Sequence, residues 1–458
     1  MTREPIVLSF VLLFALAALA FPHSAQALSL REAMATAYAT HPQIEAARAN
    51  LRSIDEEVAK ANAGWRPTLS IGGVEGFQHI VTDQPTHLEQ DQNLLTGTAT
   101  LSEPLYRGGR TVAEIRRANA LVRAGRAQLT DTEQNVLLNA AIAYMDVVRD
   151  SGALEYRRNN LQVLQGQLDA GNTQLRAGAV TQTDVQQTEA RLAGARAALS
   201  IAEGQLATSR ARFERTIGRP PENLEANPNL PALPGTLEEA LNHATASSPA
   251  LIAAQETSRA ADYAIDAAAS SLLPQVSLQL QYQYAKNSNI IGISNPGVTQ
   301  RDASAFVQVT VPLYQGGAEY AGVRQAKEQR NQSRANITDV DRQVRESAQT
   351  AWGSFTAAQA SIVSSQMAVV ANQSAVRGVI EEQRAGERSI LDILNAQQEL
   401  LSGEIVLGNA QHDMQVAAYQ LLAASGNLTA RSLALETTLY DPLDHYKSDA
   451  SAWFGLGQ

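Results

Sequence analysis

The chain is written twice, and this duplication limits what it can fold into more than any other feature. Ser29-Leu30-Arg31-Glu32-Ala33 returns as Thr236-Leu237-Glu238-Glu239-Ala240, shifted by 207 residues, and Pro42 and Pro67 return as Pro249 and Pro274. Pro104-Leu105-Tyr106-Arg107-Gly108-Gly109 returns as Pro312-Leu313-Tyr314-Gln315-Gly316-Gly317 at a shift of 208. Arg176-Ala177-Gly178 and Gly218 then return as Arg384-Ala385-Gly386 and Gly426 at the same 208. A period this long lies far above the roughly 20–50 residues of a solenoid repeat. The frame is therefore two copies of one domain, over 28–218 and 236–428. A proline-rich linker, 219–235, joins them, and a tail, 429–458, has no counterpart in the first copy.

Each copy opens with a capping-box pattern, Ser29-x-x-Glu32 or Thr236-x-x-Glu239, which predicts a short helix. Pro42 and Pro249 then suit the first turn of a second helix, which ends before Pro67 or Pro274. After Pro274 the period changes from 3.6 to 2. Val276, Leu278, Leu280, Tyr282 and Tyr284 alternate with Ser277, Gln279, Gln281 and Gln283, and Val307, Val309 and Val311 mark the returning strand. Lys286 to Arg301, rich in Asn and Gly, is expected to be a loop. The first copy carries a weaker hairpin, Leu69 and Ile71 outward and Thr98 to Ser102 back. Strands of about nine to eleven residues with one apolar face are the pattern of a transmembrane β-barrel.

Two long stretches without proline follow, Thr111 to Ala177 and Ala318 to Ala385, of 67 and 68 residues. Each would reach about 100 Å as one helix. Ala140, Val147, Leu154, Leu161, Leu168 and Leu175 recur every seven residues, with Leu164 beside them, which predicts coiled-coil packing. Gly152, Gly166 and Gly171 read as close approaches to a neighbour. Arg176-Ala177-Gly178 and Arg384-Ala385-Gly386 turn the chain, and Thr181-x-x-Asp184 and Ser389-x-x-Asp392 open the returning helices. The fold class is thus mainly α with transmembrane β: long antiparallel helices in a tunnel wall and four strands per chain. The tail is expected at a belt around mid-height.

The compartment agrees with this layout. Arg3, the apolar run Ile6 to Ala20 and Ala25-Gln26-Ala27 read as a cleavable secretory signal over 1–27. That run of about fifteen residues is short of the roughly 20 that a spanning helix needs. With no cysteine, the chain has neither a disulfide framework, a thiol nucleophile nor a cysteine for N-terminal lipid. A net charge of −10 argues against a nucleic-acid partner. No Walker A loop, H-E-x-x-H, G-x-G-x-x-G or G-x-S-x-G occurs. The seven histidines are scattered, with His79 and His87 expected in a loop. No catalytic residue, metal site or cofactor is expected, and the protein reads as not an enzyme.

Four strands cannot close on themselves, and an open edge in lipid leaves backbone groups unsatisfied at several kcal/mol each. A homotrimer with a twelve-stranded barrel is the simplest closed solution. The paired Pro-Leu-Tyr-x-Gly-Gly motifs, Leu272-Leu273-Pro274-Gln275 and the two Arg-Ala-Gly turns resemble those of the TolC-type outer-membrane factors. The resemblance covers Leu28 to about Leu433. It implies a barrel among outer-membrane lipids, an α-helical tunnel through the periplasm, and a passive exit duct for efflux or type I secretion. The implied partners are a periplasmic adaptor and an inner-membrane transporter of ABC or RND type. It also implies that Thr183, Asp184, Arg388 and Asp392 line or close the periplasmic entrance, and that Arg176, Gly178, Arg384 and Gly386 form tips that dock the adaptor. Two positions depart from the pattern: Gln383 stands where an aromatic gate residue is expected, and Asn395 where a second axial carboxylate is expected. Arg388 is expected to pair with Asp392. The competing reading is a barrel-anchored adhesive or structural coiled coil without transport.

Overall fold

The computed structural model describes residues 27–82, 88–289, 298–450 and 453. The signal-peptide reading and His87 lie outside these residues. Each copy begins with a short capped helix, α1 (Leu30–Thr40) or α5 (Leu237–Ser247). A longer one follows, α2 (Pro42–Asn62) or α6 (Pro249–Ala269), with its proline in the first turn. A single 3₁₀ turn then leads into a hairpin, β1 (Thr68–Thr82) and β2 (Leu88–Arg107) or β3 (Gln275–Asn289) and β4 (Val298–Thr310). The long helices are α3 (Arg110–Arg176) and α7 (Ala318–Arg384), each 67 residues, and α4 (Gln182–Ile217) and α8 (Ile390–Ala424) return beside them. A last helix, α9 (Asp444–Asp449), lies in the tail.

Capping chemistry explains most of these boundaries. Ser29 and Glu32 form a complete reciprocal box. Thr236 does only half the work: its hydroxyl accepts from Glu239 N at 3.1 Å, but the Glu239 carboxylate takes Gly235 N at 2.8 Å instead. The expected box at α5 is therefore corrected to a one-sided cap. The helices α3, α4, α7 and α8 run into left-handed glycines, Gly178, Gly218, Gly386 and Gly426 in turn. Ala179 N donates to Gln174 O and Glu387 N to Glu382 O, both at 2.9 Å, and Asn427 N does the same to Leu422 O at 3.0 Å.

The four strands form one antiparallel sheet in the order β1-β2-β3-β4. The copies share one register, because Leu69 opposite Leu101 returns as Val276 opposite Val309. Reading across the sheet, Leu69, Leu101, Leu280 and Ala305 share a row, as do Ile71, Ala99, Tyr282 and Ala303. The opposite face carries Ser70, Thr100, Gln281 and Ser304, then Gly72, Thr98, Gln283 and Asp302. One face is suited to lipid and the other to water. The strands outrun the expectation: Lys286–Asn289 and Val298–Arg301 belong to β3 and β4, and His79 lies in β1, 2.5 Å from Asp91 of β2. The loop reading failed there because the ladder continues past the apolar band, where nothing enforces hydrophobic alternation.

The main core sits at mid-height. Leu30, Met34 and Tyr38 of α1 pack there with Val136, Leu137 and Tyr144 of α3, Phe213 and Ile217 of α4, Leu428 at the end of the second copy and Leu433 of the tail. Tyr144 pins the linker by donating to Glu225 O at 3.0 Å and also reaches Leu28 O at 2.7 Å, and burial pushes its phenol well above the usual value, so it stays a donor. Ala140, Val147 and Leu154 of the heptad are buried, and Leu161 and Leu168 flank a lower cluster of Leu164, Leu192, Ala195 and Leu394. Of the three glycines read as close approaches, only the buried Gly171 has a neighbour within the chain, where a Cβ would lie 3.9 Å from Val185 Cγ2. A Cβ at Gly152 or Gly166 would meet nothing within the chain, whereas Gly125, 3.1 Å from Ile54 Cδ1, marks the close helix approach.

The tail leaves the belt. Up to Leu435 it joins the belt core, and then it climbs α2. Tyr440 N donates to Tyr38 OH at 3.2 Å, with the Arg48 guanidinium set over both tyrosine rings. Tyr446 OH donates to Asn119 at 2.7 Å, Asn62 donates to Ala450 O at 2.9 Å, and Arg66 lies over the Trp453 ring. Beyond Leu435, α2 and α3 offer Tyr446 an apolar seat of Val58, Ala118 and Val122.

Candidate pore entrance and membrane interface

The far end of the wall carries the residues the sequence singles out. Thr181 caps α4: Asp184 N reaches its hydroxyl at 3.3 Å, while Thr181 N and its hydroxyl donate to Asp184 Oδ2 at 2.9 and 2.7 Å. Ser389 and Asp392 repeat the arrangement at 3.3, 2.9 and 2.8 Å. Hydrogen bonds from Thr181 hold the Asp184 carboxyl below the usual carboxylate value, and bonds from Ser389 do the same for Asp392. Both stay charged well into acid. In each case the cap bonds fall on one oxygen, Oδ2, so capping leaves the carboxylate available for a second role.

Within the chain, Arg388 does not pair with Asp392. Its Nε lies 2.9 Å from Glu382 Oε2 at the end of α7, and Asp392 is only a weaker electrostatic neighbour. The turn brings Glu382 back toward the guanidinium, while Asp392 is occupied at its own N-cap. Thr183 is exposed on the first turn of α4, and Arg176, Gly178, Arg384 and Gly386 are exposed on the two turns. Arg176 contacts Thr173, and Arg384 pairs with Glu381 at 2.7 Å. The departure at Asn395 has a local use: its side-chain oxygen accepts from Arg191 at 3.2 Å and ties α8 to α4.

Sequence reasoning missed a buried ionic cluster higher up the wall. His412 of α8 lies 3.0 Å from Asp146 of α3 and 2.9 Å from Asp413. Arg149 bridges Asp146 and Asp150, Arg212 of α4 approaches Asp146 at 3.4 Å, and Ser209 of α4 donates to Asp150. No local pattern announces this, since Asp146 and His412 are 266 residues apart. Arg126 of α3 is another half-buried cation that no local pattern announces. It is tucked under the Tyr446 ring, with its Nε and one terminal nitrogen buried and without hydrogen-bond partners. Among the described residues no group of acidic, histidine or cysteine side chains is placed to hold a metal ion.

At the other end, the apolar rows of the sheet run from Val276 to Tyr284 on β3, roughly the nine to eleven residues a tilted strand needs to cross a bilayer. No described helix is long and apolar enough to do so. A membrane-spanning sheet joined to a long duplicated helical wall defines an outer-membrane channel subunit. The chain belongs to the outer membrane efflux protein family, whose profile matches residues 33–219 and 240–427, one segment in each copy. It is 35% identical over 431 residues to the outer membrane efflux protein BepC of Brucella suis biovar 1, covering 93% of this chain and 92% of that one. It is 28% identical over 421 residues to the proteases secretion protein PrtF of Dickeya chrysanthemi, covering 88% of each. The fold matches the Campylobacter jejuni CmeC outer membrane channel with a TM-score of 0.77 at 14% identity, over 92% of this chain and 89% of that one.

Proposed function

We propose that three copies of this chain form a passive exit duct that receives substrate from a periplasmic adaptor and an inner-membrane transporter of ABC or RND type. The observation that carries the trimer is the open sheet. β1 and β4 each have a free edge, and the internal symmetry supplies the register that would close them. Within the chain, the second strand of copy one pairs with the first strand of copy two, for example Ala99 with Tyr282. Carried on by one repeat, that pair becomes Val307 with Glu75 of the next protomer.

The glycine environments agree with that joint. A Cβ on Gly108 would meet Ser270 O at 2.6 Å, across the junction between copies, while one on its counterpart Gly316 would meet nothing in the chain. Leu313 and Tyr314 are 88% and 80% exposed, against 48% and 44% for Leu105 and Tyr106. The second copy lacks the neighbour that the first copy has. The chain has no cysteine, so Val307→Cys with Glu75→Cys introduces its only thiols. A covalent trimer in oxidised membranes is expected, and none from Val307→Cys with Val74→Cys, whose second residue faces the other side. Cross-linking that stays absent from the first pair contradicts the register.

The same reading assigns the entrance to Thr183, Asp184, Arg388 and Asp392 and adaptor docking to the turns at Arg176, Gly178, Arg384 and Gly386. Threefold symmetry would bring three charged copies of Asp184 and of Asp392 to one axis, where like charges repel unless a cation intervenes. Arg388→Ser with Asp184→Ala is expected to raise single-channel conductance. Asp392→Ala is expected to weaken block by multivalent cations added from the periplasmic side. A double variant conducting like its parent, with the trimer intact, would make these residues caps alone.

A further inference from the structure

We propose that Trp453 of the C-terminal tail and Arg66 together form a lipid-binding element that engages phospholipid headgroups of the periplasmic leaflet. The tail is carried up the wall by a series of specific contacts. Tyr440 is held by Tyr38 and Arg48, Tyr446 by Asn119 and Arg126, and Ala450 by Asn62. Asn62 ends α2, and only the turn Ala63–Trp65, Arg66 and Pro67 separate it from β1. The climb therefore delivers Trp453 to the rim of the sheet, its ring 4.8 Å from the Arg66 guanidinium.

At that level the outward surface changes character. Above the rim lie Leu69 and Ile71; at the rim itself are the exposed rings of Trp65 and Tyr106. Trp453 is 61% exposed, so one part of the indole meets Arg66 and much of the rest meets the surroundings. In water such an exposed indole has little reason to be held by so many contacts upstream. A bilayer interface suits both groups. Indoles concentrate where the headgroups begin, and a guanidinium donates to phosphate oxygens. The apolar rows continue directly into this patch, so the lipid that covers Leu69 extends over Trp453.

The rim is also where the symmetry argument places the neighbouring protomer, with its Gly316 opposite Ala63 and Arg66. Lipid is favoured because the tail does not lie on the open flank of α2. Tyr446 and Ala450 sit over Val58 of α2 and Ala118 and Val122 of α3, in the groove between these helices.

The inference rests on the sheet being in the membrane, so the test carries its own control. The chain has three tryptophans. Trp65→Phe with Trp352→Phe leaves Trp453 as the only indole, in trimers reconstituted into phosphatidylethanolamine–phosphatidylglycerol vesicles. Trp453 is expected to lose most of its emission with lipids brominated close to the headgroup, and little with lipids brominated at the chain end. Arg66→Gln in that background is expected to reduce the quenching while the trimer persists. In the control, all three tryptophans are replaced by Phe and Phe77→Trp supplies the indole, which lipid bromines should quench. A quenched control beside an unquenched Trp453 overturns the inference, whether that indole faces water or the next protomer. If neither is quenched, the membrane placement fails as well.

Discussion

At the residue scale, partners that are distant in sequence decide what local pattern cannot. His412 belongs to no motif, yet burial and two carboxylates govern it. Burial alone would lower its pKa, but hydrogen bonds to the carboxylates of Asp146 and Asp413 prevail and hold it above the usual histidine value of 6.5. Burial opposes the charge on Asp146, but the His412 hydrogen bond, with Arg149 and Arg212 beside it, holds its carboxyl below the usual carboxylate value. A raised folded value means that His412 contributes stability fully below 6.5 and loses it as pH rises through the folded pKa. His412→Gln should therefore cost more thermal stability in mildly acidic buffer than in alkaline buffer, by calorimetry of the trimer. A cost that does not change with pH would mean His412 acts through packing alone. Gly316 gives a second residue-scale test. Its φ is +71°, so alanine there carries left-handed strain of about 1–2 kcal/mol. If Ala63 and Arg66 of the next protomer occupy the space beside it, Gly316→Ala should also abolish the detergent-resistant trimer. A trimer that survives on gels would leave strain as the only effect.

At the element scale, sequence reasoning did best where one rule acts alone. Helix ends were legible because capping residues and left-handed glycines are short-range devices, and the length of α3 and α7 followed from the missing prolines. Strand ends were not, since β1 to β4 run past the lipid band on backbone pairing alone. The equal length of α3 and α7 hides unequal surroundings. Before Val344, α7 buries only Ala326, while the matching part of α3 buries Ala113, Ala118, Ala120, Val122 and Ala124. Ile201 of α4 is likewise exposed. Its counterpart Asn409 shares a groove with Gly152, Ala153 and Tyr156 of α3, which map onto Ala360, Ser361 and Ser364 of α7. Symmetry thus seats Ile201 against α7 of the next protomer. Burying such a side chain contributes about 1.5–3 kcal/mol. Ile201→Glu should leave the circular-dichroism spectrum unchanged and shift light-scattering mass from trimer toward monomer. An unchanged mass would place α4 and α7 apart.

At the scale of the whole molecule, the duplication explains both what the chain holds and what it lacks. Two copies give four strands, one continuous apolar face and a helical wall about 100 Å long. They also give two open edges and one under-covered long helix, and a ring of three satisfies all of these with the contacts already used between copies. The tail stands outside the symmetry, which is why the repeat pattern was silent about its climb to the membrane rim. Single-channel recording of the purified trimer in planar bilayers tests the central claim most directly. Discrete conductance steps are expected from the trimer fraction, larger for Arg388→Ser with Asp184→Ala than for the parent. Silent bilayers from intact inserted trimers, or steps of the same size carried by monomer, would contradict it.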